Sequence, residues 1–198
     1  SAPVPHVVTT VVLGGADADT FVFNQTSLVG STAVYGGPGS DSFVVNQLAS
    51  MDVADGDTLT LDGQGGADLY TVNTAGSLST DAHNYVINVL DTGSKTEDVD
   101  TLEVYGFDST VNSETAPTDD IFLLRRASYL EGETAEDPAF VALISGTLEQ
   151  ARIPSNDPQG RPRPQDVQRV NYDANLNGRL SAYGLGGNDF FAMDDNSA

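Results

Sequence analysis

The sequence predicts an all-β fold, a parallel β-solenoid, and three observations predict it. A strand–glycine turn–aspartate–strand unit recurs five times in 198 residues. Its strands alternate apolar and polar residues and are rich in Val, Thr, Tyr and Phe, the pattern of half-buried strands. The same apolar positions follow the aspartate in every copy, so stacked copies bury matching faces between neighbours rather than building separate cores.

The first unit reads Val11-Val12-Leu13-Gly14-Gly15-Ala16-Asp17-Ala18-Asp19-Thr20-Phe21-Val22-Phe23. The second, Ala33 to Val45, carries Gly36-Gly37-Pro38-Gly39-Ser40-Asp41-Ser42-Phe43. The third, Leu59 to Val72, carries Asp62-Gly63-Gln64-Gly65-Gly66-Ala67-Asp68-Leu69-Tyr70. The fourth is expanded: Leu102-Glu103-Val104-Tyr105-Gly106 enters a long loop and Asp120-Ile121-Phe122-Leu123-Leu124 leaves it. The fifth, Leu180 to Met193, carries Gly184-Leu185-Gly186-Gly187-Asn188-Asp189-Phe190-Phe191. Phe21, Phe43, Tyr70, Phe122 and Phe191 each stand two residues after the shared aspartate, which predicts one aromatic column inside the stack.

Successive shared aspartates are 22, 27, 52 and 69 residues apart. This predicts a single domain over 1–198, with regular rungs over 7–73 and decorated rungs over 84–194. Asp57–Gly63 matches Asp100–Gly106 position by position. Strand patterns at Tyr85–Leu90, Phe140–Ile144 and Val167–Tyr172 would supply the return sides of the rungs. The alternative is an antiparallel β-sandwich with a hairpin at each glycine turn. Turns of five or six residues are longer than hairpins prefer, and a hairpin gives the repeated aspartate no role.

The formal net charge is −21, and before Lys95 all ten acidic residues are aspartates with no Lys, Arg or Glu among them. Short carboxylates beside turning glycine backbone suit a hard, oxygen-ligated cation; the competing reading is an acidic surface that serves solubility. Such a charge excludes nucleic acid as a partner. No apolar run reaches the ~18 residues of a membrane span. The chain has no cysteine, so neither disulfides nor thiolate metal sites exist, and bound metal is one of the few remaining staples. It opens on Ser1-Ala2-Pro3-Val4-Pro5 and reads as a segment of something larger, with any secretion signal outside it.

Gly36-Gly37-Pro38-Gly39-Ser40-Asp41-Ser42-Phe43-Val44 resembles the glycine-rich nonapeptide G-G-x-G-x-D-x-U-x of the RTX, or hemolysin-type, calcium-binding repeat family at every specified position. The other copies depart at one position each: Gln64 and Leu185 replace the second glycine, and Asp17 replaces the fourth-position glycine. The resemblance implies a parallel β-roll with calcium between neighbouring turns. On that reading Asp19, Asp41, Asp68 and Asp189 are carboxylate ligands and Asp17 and Asp62 are auxiliaries. The carbonyls of Gly15, Gly37, Gly39 and Gly66 are backbone ligands. Family nonapeptides run back to back in coils of about 18 residues. The wider spacing here implies that only one side of each rung carries the motif.

The remaining features are weaker. Asp173-Ala174-Asn175-Leu176-Asn177-Gly178 fits the opening of a calcium loop, but Gly184 stands where the bidentate Glu belongs, and Asn177-Gly178 is also a turn signal. His6 and His83 are isolated. Residues 152–165, with Pro154, Pro158, Arg161, Pro162, Arg163 and Pro164, read as an exposed loop. Asp137-Pro138 and Asp157-Pro158 are acid-labile bonds in a chain with no other mark of self-processing. The expectation is a non-catalytic, calcium-binding structural or adhesive module of a large secreted or cell-surface bacterial protein. Its partners would be calcium ions and a surface glycan or neighbouring modules. The alternative is a glycan-binding or polysaccharide-cleaving solenoid using the arginine-bearing second half, in which Arg125 and Arg126 beside a strong strand would serve the cleaving form.

Overall fold

The structure is a computed structural model that describes residues 8–24, 28–79, 81–93, 99–111, 114–125, 139–153, 157–161, 166–173 and 176–194. Its strands are, in chain order, β1 (Thr9–Leu13), β2 (Thr20–Asn24), β3 (Ser31–Pro38), β4 (Ser42–Asn46), β5 (Thr58–Gly65), β6 (Leu69–Asn73), β7 (Tyr85–Leu90) and β8 (Thr101–Tyr105). They continue as β9 (Ser109–Val111), β10 (Glu114–Ala116), β11 (Ile121–Arg125), β12 (Ala139–Ile144), β13 (Val167–Tyr172), β14 (Arg179–Tyr183) and β15 (Phe190–Asp194). A short α-helix, α1 (Leu148–Ala151), starts at a capping box between Thr147 and Gln150, and Val53–Asp55 form a single 3-10 turn.

The fold is all-β with two main sheets. The larger has eight strands in the order β1-β3-β5-β7-β13-β12-β11-β15, and the smaller has five in the order β14-β8-β6-β4-β2. The strands flanking each glycine turn therefore lie in different sheets, and the turns make no hairpins. Pairing among the repeated strands is parallel and in register. Phe21 stands beside Phe43, Phe43 beside Tyr70, Tyr70 beside Leu102, and Leu102 beside Leu180. Antiparallel pairing among the described residues is confined to β9–β10, inside the expanded fourth unit, and to β12 between β11 and β13. These pairings are not those of an antiparallel sandwich.

Period-2 alternation decides burial. Val34, Leu59, Leu61, Ile87, Val89, Val141 and Val170 of the larger sheet meet Phe43, Val45, Tyr70, Val72, Leu102 and Val104 of the smaller in one core. Each such side chain contributes about 1.5–3 kcal/mol relative to exposure. At the β1–β2 end this burial stops. Val12 is 38% exposed, whereas its register partner Val34 is 1% exposed.

The single aromatic column expected from the sequence is two columns. Phe21, Phe43 and Tyr70 stack at centroid distances of 5.0 and 4.9 Å along the smaller sheet. Phe122 and Phe191 stack at 4.8 Å in the larger. The reason is topological: the first three units enter from the larger sheet and leave into the smaller, whereas the last two run the other way. Their glycine turns accordingly lie at opposite margins of the sheets, not along one side. The three strands expected as return sides, β7, β12 and β13, all lie in the larger sheet with β1, β3 and β5.

Candidate metal centre

Four turns follow one backbone path. The second motif position has positive φ in every copy: Gly15 119°, Gly37 107°, Gln64 74° and Leu185 68°. So does the fourth: Asp17 73°, Gly39 155°, Gly66 120° and Gly187 103°. The copies that depart from glycine thus keep the turn, and Gln64, Leu185 and Asp17 hold a left-handed conformation that costs an L-residue ~1–2 kcal/mol. Stacking adds a second demand. A Cβ on Gly37 would collide with the Gly15 carbonyl oxygen, one on Gly39 with the Asp17 carbonyl, and one on Gly66 with the Gly39 carbonyl. The carbonyls of Gly15 and Gly39 therefore face the next turn in the stack. Gly15, in the first turn, has nothing within 4 Å of its Cβ position.

The aspartates form a ladder. The backbone N–H of Asp19 donates to Asp41 Oδ1 at 2.7 Å, that of Asp41 to Asp68 Oδ1 at 2.8 Å, and that of Asp68 to Asp100 Oδ1 at 2.9 Å. The Asp100 N–H donates to Asn177 Oδ1 at 3.2 Å. Each carboxylate thus caps a strand-start N–H that burial would otherwise leave unsatisfied. This is a hydrogen-bonding reason for the repeated aspartate, and it requires no metal.

The ladder uses only Oδ1 of Asp41 and of Asp68. Oδ2 of Asp19, Asp41 and Asp68 is buried with no hydrogen-bond partner, and Asp41 and Asp68 are each only 2% exposed. These oxygens lie against Gly14, Gly36 and Gly63, where a Cβ would displace them. Burial, followed by the charges of Asp100, Asp41 and Asp91, pushes the Asp68 carboxyl up from 3.8 to about 7. These three neighbouring charges are all negative.

Other candidates are placed differently. Asp189 heads a second, shorter ladder: the Asp120 N–H donates to its Oδ1 at 3.0 Å, and the Ser77 N–H donates to Asp120 Oδ1 at 2.8 Å. Asp120 is fully buried but satisfied at both oxygens, since the Phe107 N–H donates to Oδ2 at 2.8 Å. The Asp62 carboxylate is buried and accepts from the N–H and hydroxyl of Thr92 at 2.9–3.1 Å. Asp17 is exposed on the first turn. Sequence reasoning missed Asp100 and Asn177 as ladder members. The turn before Asp100 lacks the glycine pattern, and the match of Asp57–Gly63 to Asp100–Gly106 aligns Asp100 with Asp57, which is not a ladder member.

The donors fit calcium in kind, being oxygens only: uncompensated carboxylate oxygens and carbonyls directed at the next turn. Among the described residues no three His, Cys, Asp or Glu side chains converge as a metal cluster. Carbonyls and water would have to complete any coordination shell. Of the Asp173–Gly178 segment, residues 174–175 lie outside the described residues, and Asn177 acts as the ladder's last acceptor. His83 Nδ1 lies 2.8 Å from the Leu48 carbonyl. Asp157 pairs with Arg161 at 2.8 Å. His6, Arg126, Asp137, Pro138, Pro154, Pro162, Arg163 and Pro164 lie outside the described residues. No described helix is long and apolar enough to cross a membrane. Compared with known protein families, curated proteins and solved structures, the chain matches none.

Proposed function

We propose that this chain is a calcium-binding, non-catalytic module of the β-roll type, a structural or adhesive segment of a large secreted or cell-surface bacterial protein. The observation that carries the reading is the column of buried, unpartnered Oδ2 atoms on Asp19, Asp41 and Asp68. A buried carboxylate oxygen without a donor or counter-charge is costly, and a divalent cation supplies the missing charge. Asp19, Asp41 and Asp68 would hold it with carbonyls of the stacked turns, Gly15 and Gly39 foremost. Parallel in-register pairing and the shared turn conformation support the solenoid part of the reading.

Thermal melting followed by circular dichroism tests this, once with chelator and once across a calcium titration. A Tm that rises with calcium and saturates is the expected result. An unchanged Tm up to millimolar calcium overturns the metal reading.

One observation favours a second reading, a glycan-binding face. Asn24, Asn46, Asn73, Tyr105 and Tyr183 form a single row across the outside of the smaller sheet. Tyr105 and Tyr183 stack at 4.5 Å, and the Tyr105 hydroxyl donates to Glu103 at 2.9 Å. Glycan-array binding that disappears in Tyr183→Ala would establish it.

A further inference from the structure

We propose that the β1–β2 end is a docking edge for one further strand–turn–strand rung of the same glycine–aspartate type, added in parallel by a neighbouring module. The inference is independent of the metal. Groups that deeper rungs use to hold the rung before them are present here without a match.

Asp41, Asp68 and Asp100 each accept, through Oδ1, the N–H of the aspartate one rung earlier. Asp19 has the same place in the first rung, and among the described residues no donor reaches its Oδ1. Asn46 Nδ2 donates to Asn24 Oδ1, and Asn73 Nδ2 to Asn46 Oδ1, both at 2.8 Å. Asn24 Nδ2 has no such acceptor among the described residues. Phe43 is stacked on both faces, by Phe21 and Tyr70, whereas among the described residues Phe21 is stacked only by Phe43. Val11, Leu13 and Val22 are 57%, 72% and 53% exposed beside these open strand edges. Among the described residues, edge strands β1 and β2 bound the two sheets on this side, so both offer backbone groups to a further strand at once.

The pattern specifies the occupant. It must run parallel, present an N–H opposite Asp19, an acceptor opposite Asn24 and an apolar ring or branched side chain over Phe21. The far end of a second copy does not qualify. There, among the described residues, β14 has no second neighbour, but β12 occupies the outer edge of β13, so the two strands of that rung are not open together. The partner is therefore a module whose terminal rung is open in both sheets.

The probe is a peptide copying Val29–Asn46, titrated into the isotope-labelled full chain with chelator present and again with calcium. Saturable amide shifts confined to Thr9–Leu13 and Thr20–Asn24 are expected. Asn24→Asp keeps the acceptor for Asn46 but removes the outward donor, and should weaken the peptide about tenfold. A second arm places an extra copy of residues 9–30 ahead of Thr9. The β1 and β2 amides should then exchange with solvent at least tenfold more slowly. Absent shifts together with unchanged exchange overturn the proposal. So does sedimentation showing self-association that protects β1 and β2, because the occupant would then be another copy. A calcium-independent Tm with peptide binding intact sinks only the metal reading.

Discussion

Gly37 and Leu185 occupy the same place in two copies of one turn, and they ask opposite things of a side chain. Leu185 is 55% exposed with φ 68°, so its side chain gains little and its backbone is strained. Leu185→Gly should stabilise the protein by about 1 kcal/mol, read as a higher Tm. Gly37 has both a φ of 107° and a carbonyl where a Cβ would stand. Gly37→Ala should cost several times more than Gly15→Ala, which meets the strain without the clash; denaturant midpoints compare them. Asp68→Asn separates the two roles of the ladder. It keeps the Oδ1 acceptor for Asp41 while removing a buried charge. The chelated variant should melt above the chelated parent, and the calcium-dependent rise in its Tm should shrink.

At the scale of elements, the aromatic column of the smaller sheet concentrates the packing. Phe43 is fully buried between Phe21 and Tyr70, so Phe43→Ala should cost about 3–5 kcal/mol in chemical denaturation. Phe21→Ala, at the open end, should cost distinctly less. Such strands were legible from their residues: Tyr85–Leu90 and Val167–Tyr172 are β7 and β13 at the expected bounds. Alternation reports which residues face inward but not which sheet a strand joins, so the split of the aromatic column was invisible. The antiparallel course of β12 was equally hidden, since Ala139–Leu143 is apolar throughout and signals burial without direction. At the candidate site, the glycine turns pointed to Asp19, Asp41 and Asp68, because positive φ and close stacking both select glycine. Asp100 escaped because its part is a hydrogen bond across 32 residues, which no local spacing announces. The asparagine row at Asn24, Asn46 and Asn73 escaped for the same reason.

For the whole molecule, the crowded aspartates set the response to pH. With no metal bound, Asp68 has a folded-state value of about 7 against an ordinary 3.8. Its protonated form is favoured by folding, so this contribution is fully present below about pH 4 and is lost as pH rises through about 7. Asp120, raised first by burial, adds in the same direction. In chelator, Tm should therefore fall between about pH 4 and 8, and Asp68→Asn should flatten that slope. Saturating calcium should also flatten it if the ion sits at the ladder, because a bound cation holds the carboxylate ionised. The insertion of β12 has a kinetic consequence. The ladder bond from Asp41 to Asp68 closes a span of 27 residues, whereas the side-chain bond from Asn171 on β13 to Asn88 on β7 closes one of 83. Loop closure over the longer span is slower. The early rungs should assemble first and offer β7 as a waiting edge, and β13 should seal it last. Refolding should then show a late phase slowed by Val170→Ala, while Val45→Ala slows the early one.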